Sequence, residues 1–306
     1  MSYVKVRGIS MYTEVVGSGP PLAMMHGGPG MDHSLLLPLK QLADSFTLVY
    51  YDHRCNGRSQ GPPVTTMNWE NLTADAEALR QALGFERWAV LGHSFGGMVA
   101  FEYALRYPDN LSNLILVDTG ASTDWLHWNM LEFLTKRGYS KKAVETARKF
   151  FRGEITPREI FPSILHFGRS CLYRFNPFVS LSGPASKYSA EALTYGLGTL
   201  LKGWNVMARL GEINTPTLVI AGRYDFQFPP EHQALLVNQI PNARLELIEK
   251  AGHNAPMERP GEVMHLVRDF LLSRVAPSHD HQEIEEEVLR EMGAGLSLRG
   301  KEVHSV

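Results

Sequence analysis

The stretch WAVLGHSFGGMVAFEYALRYP, residues 88–108, limits the possible fold more than any other part of the chain. Its first residues form an apolar run of strand type, and from Phe95 onward the apolar residues take helical spacing. Between them stands Gly92-His93-Ser94-Phe95-Gly96, so a strand must turn into a helix around one serine with a glycine two places to either side. Strand and helix crowd each other in so sharp a turn, and only residues without bulk fit at those two places. The turn lifts the Ser94 hydroxyl above the strand end and leaves helix N-terminal N–H groups free for an anion. Serine is also a common helix cap, and G-x-S-x-G arises by chance. The strand–turn–helix setting favours the nucleophile.

The same rhythm runs through the flanking sequence. Residues 3–7 and 11–16 alternate as a hairpin would, and PLAM (21–24) reads as a short strand. Residues 34–44 have helical spacing that Pro38 must distort. FTLVYYD (46–52) reads as a strand covered on both faces, 69–83 as a helix ending at Gly84, and NLILVD (113–118) as a further strand. This order predicts an α/β fold, a mostly parallel sheet flanked by helices. The rhythm stops at Gly120. Helical stretches at 127–138 and 141–153 follow, with no convincing buried strand, until TPTLVIAGRYD (215–225) resumes the alternation. A helix near 230–239, a strand at 244–249 and a closing helix at 260–274 complete it. The organisation expected is a discontinuous core, 1–120 and 209–275, a helical cap inserted at 121–208, and a charged tail at 276–306.

Composition narrows the partners. At 306 residues, with 44% hydrophobic and 20% charged residues, the chain can bury a large core as an ordinary globular protein does. A net charge of -2 offers no basic field, so neither nucleic acid nor a membrane surface is an expected partner. Only Cys55 and Cys171 occur, which makes a disulfide scaffold unexpected. The N-terminus lacks a basic stretch followed by an apolar run, and no window long enough to span a bilayer is free of charges or breaks. A cytoplasmic location is expected, and self-association is left open.

A serine needs a base and a group to orient that base. Asp225 follows the strand TLVIAG, and His253 follows the strand RLELIE, each at the strand end where open α/β sheets bind ligands. The order Ser94, Asp225, His253 is the one G-x-S-x-G hydrolases require. Asp225 also suits a helix cap and His253 a plain surface loop, but three such residues in order argue for catalysis. Asp118 also ends a strand and competes for the acid role; Asp225 ranks first, on the strand immediately before that of the histidine. The run His26-Gly27-Gly28-Pro29-Gly30 reads as half of an oxyanion hole, with Gly28 supplying one N–H and Phe95, after the nucleophile, the other.

Together these features resemble the α/β-hydrolase fold family, and more closely its proline iminopeptidase branch, serine aminopeptidases with a helical cap. The match runs from about residue 3 to 274 and includes His26–Gly30, the Asp52-x-Arg54 and Gly57-Arg58-Ser59 elements, the Ser94 turn, Asp225 and His253. The resemblance implies release of N-terminal residues from short peptides or amides. Two features depart from that branch. His93 and Phe95 flank the serine where the branch has Gly-Gly-x-Trp-Gly, and no cap carboxylate matches those that hold the substrate amine. The cap carries twelve Lys and Arg against six Asp and Glu, the wrong sign for a cationic amine. The alternative is a hydrolase of small esters, lactones or C–C bonds. A serine at position 94 excludes carboxylate-nucleophile chemistry, and an intact triad argues against a mere binding module. No cofactor motif is present. His26, His33 and the tail pair His279 and His281 lack partners at metal-ligand spacing, so no metal is expected.

Overall fold

A computed structural model describes residues 2–61, 63–124, 126–136, 138–156, 158–160, 162–163, 168–174 and 187–273. The charged tail at 276–306 lies outside the described residues. The strands are β1 (Ser2–Val6), β2 (Ile9–Val16), β3 (Pro21–Met25), β4 (Thr47–Tyr51), β5 (Trp88–His93), β6 (Leu111–Val117), β7 (Thr217–Gly222) and β8 (Ala243–Ile248). They form one sheet in the order β1-β2-β4-β3-β5-β6-β7-β8. The hairpin β1–β2 and the pair β2–β4 are antiparallel, and every other pairing is parallel. The parallel strands β3 to β8 therefore end along one edge, where His26, Asp52, Ser94, Asp118 and Asp225 each follow a different strand.

Helices cover both faces: α1 (Trp69–Ala82), α2 (Phe95–Arg106), α6 (Pro230–Gln239), α7 (Ala255–Glu258) and α8 (Pro260–Leu272), while α3 (Leu126–Lys136), α4 (Lys141–Phe151) and α5 (Ala190–Tyr195) lie between β6 and β7. The Asn68 side chain accepts the Asn71 N–H at 2.8 Å to start α1, and Gly84 beyond its end takes φ 76°. The stretch 33–44 forms 3-10 turns instead of the expected α-helix. Pro38 brings no N–H there, and a tighter pattern is what the remaining bonds allow.

All six residues of β5 are buried. Along β3, Leu22 and Met24 join one apolar cluster while Ala23 and Met25 join the other, so a two-residue period feeds two cores, one on each sheet face. The segment between β6 and β7 leaves and rejoins the sheet domain through a narrow neck. Ser122 bridges to Asn205, Val206 N–H donates to the Ala121 carbonyl at 2.8 Å, and Thr123 N–H donates to the Trp204 carbonyl at 3.0 Å.

Candidate active site

Ser94 sits at φ 52° and ψ -119°, a conformation that non-glycine residues rarely hold and that costs on the order of 1–3 kcal/mol. Its neighbours explain why it persists. A Cβ on Gly92 would stand 2.5 Å from the Gly96 carbonyl oxygen, and one on Gly96 would stand 2.5 Å from the Met25 carbonyl carbon and 2.6 Å from the His26 oxygen. Helix α2 thus packs directly on the ends of β3 and β5. Ser94 N–H donates to the Val117 carbonyl at 3.0 Å, and the Thr119 hydroxyl donates to the Ser94 carbonyl at 2.7 Å. The strained turn is tied down on the β6 side by both contacts.

The sequence-predicted partners converge on it. Ser94 Oγ lies 2.9 Å from His253 Nε2, and His253 Nδ1 lies 2.9 Å from Asp225 Oδ2. With Nδ1–H donating to the carboxylate, Nε2 is free to accept the serine proton. Asp225 Oδ1 accepts the N–H groups of Gln227 (2.8 Å) and Phe228 (3.2 Å), which fix the carboxylate. Burial alone would lower the His253 pKa. The Asp225 charge and hydrogen bond, helped by the Asp118 charge, outweigh it, and the pKa rises above its usual 6.5. Asp118 does not reach the imidazole edge that Asp225 occupies. Its oxygens instead accept the backbone N–H groups of Gly222 and Ala255, each at 2.8 Å.

The glycine loop packs against the serine turn. A Cβ on Gly27 would stand 3.1 Å from Ser94 Cβ, so Gly27 is the residue that lets the loop approach the serine. Gly28, at φ 64°, follows it, and its carbonyl accepts the Met31 N–H at 3.0 Å. His26 secures the loop from beneath: Nε2 accepts the His53 N–H at 3.1 Å, which leaves Nδ1–H to donate to the Gly27 carbonyl at 3.0 Å. Asn56 accepts the Gly30 N–H. Asp32 and Asp52 are both buried. Asp52 holds the His33 backbone and ring and the Arg58 N–H, while Asp32 takes the Arg58 guanidinium at 2.8 Å and the Lys187 N–H at 2.9 Å. The Asp52-x-Arg54 and Gly57-Arg58-Ser59 elements are thus scaffold for the loop; Arg54 braces α1 by two 2.7 Å bonds to Asp75. Sequence reasoning missed His93, Asn56 and the stapling role of Asp118. Their position inside or beside the recognised motifs was the available signal.

The inserted segment reaches the site from two sides. Ser189 N–H, just before α5, donates to the Gly30 carbonyl at 2.7 Å, and Gly196 packs against Pro29. On the histidine side, Glu258 accepts the N–H of Gly252 at 2.7 Å and of Tyr173 at 2.8 Å. Phe228 lies 5.8 Å from the His253 ring, and Phe95, Trp69 and Trp204 form a ladder at 6.0 and 5.1 Å between ring centres. Of the other aromatics in 121–208, Trp125, Phe161, Phe167, Phe175 and Phe178 lie outside the described residues. All six acidic residues of this segment, Asp124, Glu132, Glu145, Glu154, Glu159 and Glu191, are described, and all six are exposed. Among the described residues no group of three or more His, Cys, Asp or Glu could hold a metal ion, and no helix is long and apolar enough to cross a membrane.

Residues 20–260 match the family model described as alpha/beta hydrolase fold. The chain belongs to the α/β-hydrolase fold family. The strand order and the exits that carry Ser94, Asp225 and His253 suit that membership. Among curated relatives, this α/β hydrolase is 27% identical to a proline iminopeptidase of Saccharolobus solfataricus, covering 88% of this chain and 91% of that one. It is 29% identical to a 2-hydroxy-6-oxo-6-phenylhexa-2,4-dienoate hydrolase of Comamonas testosteroni, over 84% and 90% of the two chains. Among solved structures, a thermophilic esterase from Thermogutta terrifontis superposes with a TM-score of 0.71 at 28% identity, covering 89% of this chain and 96% of the esterase.

Proposed function

We propose that the chain is a serine hydrolase working by acyl transfer, a reading carried by the hydrogen-bonded series Ser94, His253, Asp225 with 2.9 Å at each link. As Ser94 Oγ forms a bond to the substrate carbonyl carbon, its proton passes to His253 Nε2, and Asp225 holds the imidazolium that results. The N–H groups of Phe95 and Gly28 receive the oxyanion. His253 then gives its proton to the leaving group as the bond to it breaks. A water that loses its proton to His253 cleaves the acyl-enzyme and restores the serine. No cofactor is required, and the free cysteines suit a reducing, cytoplasmic setting.

The pH dependence follows from the histidine. His253 must be neutral to accept the serine proton, and its pKa is raised, so kcat/KM should fall as pH drops through a value above 6.5. In Asp225→Asn that limb should move to lower pH while kcat falls about 10,000-fold. A limb that stays in place in the variant would separate His253 from the base role.

The relatives named as proline iminopeptidases support an aminopeptidase or amidase that releases N-terminal residues. A specific observation favours the second reading, small esters, lactones or C–C bonds in compounds without a free amine. A cationic amine held over Ser94 needs a carboxylate withdrawn from water, because exposed ion pairs contribute only about 0–1 kcal/mol. Every acid of the inserted segment is exposed. A panel decides: aminoacyl 4-nitroanilides including proline, their N-blocked forms, aryl esters and lactones. Turnover of esters or lactones, with blocked and free anilides alike inert, is the expected result. Cleavage of free-amine anilides but not blocked ones would overturn the second reading and establish the first.

A further inference from the structure

Asp118 is fully buried and holds φ 45°, a backbone conformation that an aspartate adopts only under constraint. It faces the loop behind His253, not the ring edge used by Asp225. Oδ1 accepts the Gly222 N–H at the end of β7, three residues before Asp225, and Oδ2 accepts the Ala255 N–H, two residues after His253. One carboxyl therefore pins the two loops that deliver the acid and the base. His93 adds a third tie, since its Nε2–H donates to the His253 carbonyl at 3.0 Å and lies 3.9 Å from Asp118 Oδ2.

With each oxygen facing an N–H donor, the arrangement suits an ionised carboxylate; a neutral acid would turn its O–H toward a donor. Ionisation is nevertheless costly there. Burial, and then the Asp225 charge, push the Asp118 carboxyl up to about 8, against the pull of the His253 charge and the two N–H groups. His93 brings no compensating charge, because burial and the nearby His253 push its imidazole down to about 3. The other ionisable groups around this cluster are Cys171 of the inserted segment, which senses the Asp225 charge, and Glu258 of α7 on the Gly252 N–H. The cation positioned to stabilise an Asp118 anion is the His253 imidazolium itself, the species formed each time Ser94 gives up its proton.

We propose that Asp118 is a positioning residue for acyl transfer: it staples the Asp225 and His253 loops together, and its carboxylate stabilises the imidazolium as a second, non-contacting negative charge. This rests on the serine-hydrolase reading given above. The coupling is reciprocal, so charging His253 favours the Asp118 anion and the anion favours the charged histidine. A structural staple alone would not make the Asp118 carboxyl respond to the charge on His253.

The test is Asp118→Asn, which keeps the side-chain shape but removes the charge and one of the two N–H acceptors, read by NMR titration of 15N-labelled histidine. The His253 titration should move down by about one pH unit, and kcat should fall about tenfold, with the circular dichroism spectrum unchanged. A His253 titration that does not move overturns the proposal, even if kcat falls. Should the variant fail to fold, the wild-type protein still decides. The 13C resonance of the Asp118 carboxyl must respond at the pH where His253 titrates, and a carboxyl that ignores that step overturns the proposal equally. The histidine titrates whether or not Ser94 turns anything over. Failure of Ser94 to react with a fluorophosphonate in the wild type would defeat the acyl-transfer reading separately, leaving the measured coupling intact.

Discussion

Replacing Ser94 with alanine is expected to lower kcat by about 10,000-fold or more and to abolish covalent labelling by a fluorophosphonate, with folding retained. The expectation rests on how little else at this position could supply a nucleophile. The serine hydroxyl lies 2.9 Å from Nε2 of the imidazole that Asp225 orients, and alanine leaves that nitrogen with nothing to deprotonate but water. Alanine keeps the Cβ, so contacts with Gly27 and the ties through the Ser94 backbone to Val117 and Thr119 survive. Intact mass after probe treatment and steady-state kinetics provide the measurement. Residual turnover within tenfold of wild type would mean that the acyl group never resides on Ser94.

Gly96→Ala is expected to cost at least about 3 kcal/mol of stability, the upper end for overpacking, because backbone and not a side chain stands in the way. A methyl there overlaps the Met25 carbonyl and approaches the His26 oxygen, atoms at the end of a central strand that cannot turn aside. Relief requires α2 to lift from the sheet, which would carry Ser94 and the Phe95 N–H away from His253 and the glycine loop. Chemical denaturation should show the loss of stability, and activity should fall with it. A variant of wild-type stability would show that α2 and β3 are not in the contact described. The comparison with Gly28 is instructive. The three atoms nearest a Cβ there all belong to the flexible Met31 side chain, although φ 64° still strains any other residue.

The candidate site was legible in the chain because each motif is local. Gly92–Gly96, His26–Gly30, Asp225 and His253 each lie on a strand exit, and short apolar runs mark those exits in the sequence. The gap in the strand–helix alternation between β6 and β7 was visible for the same reason. The contacts that join distant exits could not be read. Asp118 bonds to Gly222 and Ala255, more than a hundred residues away. Nothing in LILVDTG records that its carboxyl points across two neighbouring strands. The glycine loop shows a subtler limit. A run of three glycines announces a tight turn, but only the packing shows Gly27 against Ser94 and Gly28 one step beyond. Pro38 was read as a distortion, and the sequence did not say that the whole stretch would tighten into 3-10 turns.

The neck formed by Ala121–Thr123 and Trp204–Val206 has a consequence for how such a chain can change. Where the two ends of an insertion are already clasped, lengthening or replacing what lies between them adds only a slowly growing loop-closure cost, about 0.6 kcal/mol per doubling. The groups we propose for the bond chemistry, Ser94, Asp225 and His253, all lie on the sheet side of that clasp. A different segment between Asp124 and Gly203 could therefore be grafted at the clasp, provided it replaces the contacts that Tyr173, Ser189 and Gly196 make with Glu258, Gly30 and Pro29.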